Sequence, residues 1–185
     1  MKPSKIKSKI LDVAGRLFYE QGYNLTGINQ VIDEADIAKG SLYNHFDSKS
    51  ALLLEYLEQF QTAWFENADR FLEDFPDPAK KIAALFDYRI QYQQKHGYGG
   101  CPFIKVNHEL SRGDILINQK IQEIKIKVKD YIRALVSIAG HKQILSDDAL
   151  TDLIYLTMEG SVTSAAIYKD VKDLRSAKKI ISSLL

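Results

Sequence analysis

The chain has one cysteine, Cys101, among 185 residues, so no disulfide can close within it. That usage suits a reducing compartment. No apolar run approaches the ~20 residues a membrane-spanning helix needs, and the N-terminus lacks the uninterrupted apolar core of a secretory leader. Four prolines and ten glycines are few, and long stretches keep helical period without a convincing strand-period segment, repeat or low-complexity tract. Neither sign of charge dominates: 25 Lys and Arg face 24 Asp and Glu, a net +1 that excludes a bulk polyanion binder. Four scattered histidines and the one cysteine show no metal-ligand spacing. No nucleophile–base pair, paired carboxylates or phosphate loop marks an enzyme. His108 and Glu109 could do acid–base work on an apolar substrate, but adjacent helical residues point in different directions. The expectation is a soluble, cytoplasmic, non-enzymatic protein needing no metal or cofactor.

What is present is helix. The period predicts nine segments, at about 4–21, 27–34, 38–44, 48–74, 78–95, 102–110, 114–139, 147–168 and 171–184. The first turns Ile6, Ile10, Val13, Leu17 and Phe18 inward. The most informative stretch runs from Thr26 to Lys49. Ile28, Val31, Ile32 and Ala35 give a short helix an apolar face, with Thr26 placed to cap it. Asp36 falls at a sharp turn and tolerates a left-handed conformation better than most residues. A second short helix then exposes Lys39, Gly40, Ser41, Tyr43 and Asn44, and Phe46 closes the unit. Two short helices around a turn form a helix-turn-helix, which lays its second helix in the DNA major groove.

Lys39 and Ser41 can reach phosphates or base edges, and Gly40 permits close approach to the backbone. Tyr43 can pack against a sugar or thymine methyl and offer its hydroxyl to a phosphate. Asn44 is a further candidate, and Asn29 a weaker one. Lys2, Lys5, Lys7 and Lys9 form an acid-free N-terminal arm, suited to phosphate contact or simply to solvent.

The stretch resembles the DNA-binding domain of TetR-family transcriptional regulators. The resemblance covers about residues 5–55 and rests on Phe18, Gly22-Tyr23, Thr26, Ala35-Asp36-Ile37-Ala38, Lys39-Gly40, Leu42-Tyr43, His45-Phe46, Lys49 and Leu52. Asp36 departs from the glycine usual in the family. The resemblance implies that Thr26, His45 and Lys49 clamp phosphates. It further implies an all-α fold, with an N-terminal three-helix DNA-binding domain (residues 1–50) and a C-terminal helical ligand-binding and dimerisation domain (residues 51–185). The implied partners are a double-stranded DNA operator, a small-molecule effector and a second copy of the chain. Repression, relieved by an apolar or aromatic molecule, is the implied activity.

Residues 60–108 are dense in aromatic side chains, and Tyr155 lies on a later helix. Trp64, Phe65, Phe86, Tyr92, Phe103 and Tyr155 could line a cavity, though such residues also build ordinary helix cores. Asn107, His108 and Glu159 are polar residues in otherwise apolar runs, which makes them candidate ligand contacts. Cys101 follows two glycines at a helix start, and it resembles the Gly-Cys-apolar segment of TetR-like repressors that sense electrophiles or oxidants. It also suits a small buried packing position. Gly160, Ser164 and Ala165, with Ile181 and Leu184 on the last helix, could join two subunits in a four-helix interface or pack within one chain. The seam Ile117, Ile121, Ile124, Val128, Tyr131, Leu135 and Ile138 reads as core, which leaves Lys120, Lys125, Lys127 and Lys129 on a solvated face.

Overall fold

The computed structural model describes residues 4–111, 113–142 and 144–185. Among them there are nine helices and no strand: α1 (Lys5–Glu20), α2 (Ile28–Glu34), α3 (Lys39–Tyr43), α4 (Lys49–Leu72), α5 (Pro78–Lys95), α6 (Pro102–Glu109), α7 (Ile115–Ile138), α8 (Asp147–Tyr168) and α9 (Lys172–Ser182). No described helix is long and apolar enough to cross a membrane.

Local chemistry sets the ends. Ser4 caps α1 by accepting the Lys7 N–H at 3.1 Å. Asp77 caps α5 through the Ala79 N–H at 2.9 Å, and Pro78 follows where a missing N–H costs nothing. Ser146 caps α8, and Asp147 and Asp148 in its first turn oppose the helix dipole. Lys169, at φ 57°, terminates α8 in a left-handed residue. The N-cap of α2 is Gly27, which makes no side-chain bond; Thr26 is not the cap its position suggested.

The chain divides into two compact units that are not contiguous in sequence. One comprises Met1–Ala63 with Pro102–Gln122, and the other Trp64–Cys101 with Glu123–Leu185. A single cut near residue 50 would not produce this grouping, which places α6 and the first turns of α7 in the same unit as the helix-turn-helix.

In the first unit Ile10, Phe18, Leu42, Leu52, Leu53 and Leu57 are fully or almost fully buried. The Phe18 ring meets Tyr23 edge-on at 5.4 Å and Tyr56 at 5.8 Å. Gly15 makes this possible, since a Cβ there would lie 2.6 Å from Cε2 of Tyr56. Ile6, expected inside, is 44 % exposed, one turn before the packed face begins.

In the second unit α5, α8 and α9 pack on one another around Leu85, Phe86, Leu150, Ile154, Leu174 and Ile181. The inward seam of α7 drifts. Ile121, Ile124 and Val128 are buried as expected, but Ile132 and Val136 replace Tyr131 and Ile138, and Ile138 is 62 % exposed. A strict seven-residue repeat rotates about 20° per heptad on a straight helix, so a 3-4 seam leaves the core within three heptads.

Candidate DNA-reading surface and ligand site

The reading surface is built from α2, α3 and the turn between them. Asp36 lies at φ 47°, in the left-handed region, as its place in the turn required. Its N–H bonds Asp33 O at 3.1 Å, and the Ile37 N–H bonds Ile32 O at 3.2 Å, so the reversal is closed by backbone. Ala35, Leu42 and Phe46 are at most 2 % exposed and anchor the pair of helices from beneath. This burial leaves Lys39, Gly40, Tyr43 and Asn44 on the outer face, with Ser41 half-buried. Nothing lies within 4 Å of where a Gly40 Cβ would be, so the surface there is open.

The remaining expected contacts are placed differently. Thr26 is wholly buried; its hydroxyl donates to Gly22 O at 2.7 Å and accepts from Gln21 Nε2 at 3.2 Å. It braces the loop before α2 and cannot clamp a phosphate as it stands. His45 is half-buried, with Nε2 3.3 Å from Ser4 Oγ. The Lys49 ammonium sits 4.3 Å above the Tyr23 ring, and burial pushes its pKa down against the pull of the Glu109 carboxylate. In the basic arm, Lys5 and Lys9 are exposed, while Lys7 is paired with Glu55. Lys2 lies outside the described residues.

α6 is held to this unit by contacts that sequence reading missed. The Glu109 carboxylate accepts the Asn24 N–H at 2.6 Å, and the Asn24 amide donates to Glu109 O at 2.8 Å. The Lys105 ammonium bonds Tyr19 O and lies 4.9 Å from the Tyr19 ring. Among the expected ligand residues, Phe103 packs here on Phe60 at 5.3 Å. Asn107 is exposed and accepts from Asn118 at 3.0 Å, and His108 is exposed.

The second unit brings together Trp64, Phe65, Cys101, Tyr155 and Glu159 of the expected set with residues not expected. Trp64 meets Phe65, Tyr88 and Tyr131 at 4.9, 5.9 and 6.2 Å. Arg89, 5 % exposed, places its guanidinium 6.0 Å from the Trp64 ring. Lys125 is not on a solvated face: its ammonium donates to Glu159 at 2.5 Å and to Cys101 Sγ at 3.3 Å. Its pKa is raised, because burial, which alone lowers it, is outweighed by the Cys101 and Glu159 charges, with Arg89 opposing them. Burial pushes the Tyr155 hydroxyl up, with Glu159 adding to the effect. Phe86 is fully buried, and Tyr92 stacks on His96 at 4.3 Å. An open groove of about 540 Å³, lined by Phe71, Asp87, Ile90 and Lys178 among others, contains none of the expected ligand residues. No metal-binding cluster occurs among the described residues.

Ala165 and Ile181 are buried within the chain's own core, so neither is free to face a partner; Ser164 is half-buried and bonds Asp173. Gly160 is exposed and Leu184 half-buried. The exposed apolar residues on the same two helices are Leu156, Ile167, Tyr168 and Ile180.

The family description "Bacterial regulatory proteins, tetR family" matches residues 10–56, and "Tetracyclin repressor-like, C-terminal domain" matches residues 78–181. The chain belongs to the TetR family. This TetR-family chain is 26 % identical over 176 residues to an HTH-type transcriptional regulator in the lacX 3′ region of Lactococcus lactis, covering 92 % of the chain and 88 % of that protein. It is 22 % identical over 178 residues to the HTH-type transcriptional repressor DhaR of a Mycobacterium species, covering 94 % and 89 %. In fold it matches SCO4454, a TetR-family transcriptional regulator of Streptomyces coelicolor, with a TM-score of 0.86 at 20 % identity, over 99 % and 91 % of the two chains. The chain is a helix-turn-helix transcriptional regulator, and these relatives are regulators rather than enzymes.

Proposed function

We propose that the protein is a cytoplasmic, homodimeric repressor that leaves a palindromic operator when a small aromatic or apolar molecule binds the second unit. One observation carries the DNA reading: Lys39, Tyr43 and Asn44 stand exposed on α3 while Ala35, Leu42 and Phe46 anchor it from below. Each subunit places α3 in a major groove, and the two grooves lie about one helical turn apart or a little more. The dimer forms through α8 and α9. Leu156, Gly160, Thr163 and Ile167 recur on one exposed stripe of α8, and Ile180 is exposed on α9. A stripe with glycine at its centre admits a second helix closely.

Ligand prefers a state in which the reading helices are wrongly spaced, with about 1–3 kcal/mol of coupling. The aromatic group around Trp64 supports a ring-bearing effector. Selection of the purified protein against a random duplex pool tests the reading. An enriched palindrome bound by a dimer supports it, and sequence-blind binding alone contradicts it.

A second reading rests on Cys101. A cation beside a cysteine sulfur favours reaction with electrophiles, and the Lys125 ammonium donates to the Cys101 Sγ. Treatment with N-ethylmaleimide should then release the operator from the wild type and not from Cys101→Ser. Equal release from both contradicts this reading.

A further inference from the structure

We infer that Arg89 is the anion-recognising group of the effector site, and that the effector class is an aromatic carboxylate. This rests on the reading of the second unit as ligand-responsive, and deepens it.

Arg89 is 5 % exposed, and its Nε has no hydrogen-bond partner. No carboxylate among the described residues is within ion-pair distance of it. A buried N–H without a hydrogen-bond partner costs stability unless something pairs with it. Lys125 is close enough that the Arg89 charge opposes its own, and Glu159 is already taken up by Lys125 at 2.5 Å. Glu159 is therefore not free to pair with Arg89, and a ligand carboxylate would supply the missing partner.

Two further buried polar atoms in the same unit are also without partners, Trp64 Nε1 and Thr151 Oγ1. Thr151 is fully buried and lies on the face of α8 that carries Tyr155 and Glu159, at i, i+4 and i+8. A buried polar group without a partner is uncommon enough to call for a reason. The Trp64 ring lies 6.0 Å from the guanidinium, and Phe65, Tyr88 and Tyr131 pack on Trp64 in turn; this aromatic group would receive the ring of the ligand. A planar guanidinium fork matches a carboxylate in two parallel hydrogen bonds.

Trp64 is the only tryptophan, so its emission reports on this cluster directly. The test titrates the full chain with benzoate, phenylacetate and 3-phenylpropionate, and with the three matching amides. It follows Trp64 emission and melting temperature, with release of a bound operator in parallel. At least one carboxylate should bind about tenfold or more tighter than its amide, the ratio expected for one charge-assisted pair. Arg89→Met should lose that preference while melting no lower than the unliganded wild type. Equal affinity for acid and amide, no response to any of the three acids, or full retention of the preference in Arg89→Met would overturn the assignment. If Arg89→Met does not fold, Arg89 is a paired structural group and the assignment falls. A carboxylate that binds through Arg89 without releasing the operator would uphold this site and contradict the proposed regulation. Release by neutral molecules alone would do the reverse.

Discussion

Glu109 and Asn24, 85 positions apart, hold each other twice: carboxylate to backbone N–H at 2.6 Å, and carbonyl to side-chain amide at 2.8 Å. The pair fixes α6 to the loop that enters the helix-turn-helix. Gly22 sits beneath it at φ +100°, where an added Cβ would meet Glu109 Oε1 at 2.7 Å. Gly22→Ala therefore combines backbone strain with a clash. It should cost about 1–3 kcal/mol in urea unfolding. A loss no larger than that of Gly27→Ala, whose Cβ meets nothing, would remove Gly22 from this role.

Asp36 takes the left-handed turn position at φ 47°. Glycine has no Cβ penalty there, so Asp36→Gly should stabilise the fold by about 0.5–1 kcal/mol, and Asp36→Val should destabilise it by about 1–2 kcal/mol. Chemical denaturation of the two variants checks both signs.

On α8, nothing lies within 4 Å of a Gly160 Cβ, so Gly160→Arg is tolerated by the isolated chain. If the α8 stripe joins two subunits, this variant sediments as a folded monomer. A Gly160→Arg protein that remains dimeric would move the interface elsewhere.

Lys125 makes a prediction about pH. Its folded pKa is raised above the ordinary 10.5: burial, which lowers it, is overcome by Cys101 and Glu159. The stability it contributes is fully present below the unfolded pKa and is lost as pH rises through the raised folded value. Glu159→Gln removes one of the two charges that raise it. The melting temperature should then fall less from about pH 9 to about pH 11 than in the wild type. An equal fall in both proteins would show that the pair is not coupled.

The fold was legible because its signals are local. Helical period and sparse helix breakers delimit the helices, and Asp36 marks the turn. The exposed face of α3 followed from period alone. What failed depended on packing between distant segments. Thr26 looks like a cap, but its hydroxyl is spent on Gly22 O, four residues back. Lys125 lies among charged residues in sequence and turns inward where Glu159 and Cys101, distant in the chain, receive it. Arg89 stands in the run Leu85–Ile90, where only the bracketing apolar residues hinted at burial. Ala165 and Ile181 read as an interface because helix period shows that a face is apolar, not which neighbour covers it.

The central claim is that α3 reads DNA. Its most direct test is titration of a selected palindrome with wild type, Tyr43→Ala and Lys39→Ala, at several salt concentrations. Each variant should fold and dimerise normally. Tyr43→Ala should weaken binding by about 1–3 kcal/mol, and Lys39→Ala, if it meets a phosphate, should lower the salt slope by about one per contact. Unchanged affinity and unchanged slope in both variants would contradict the account.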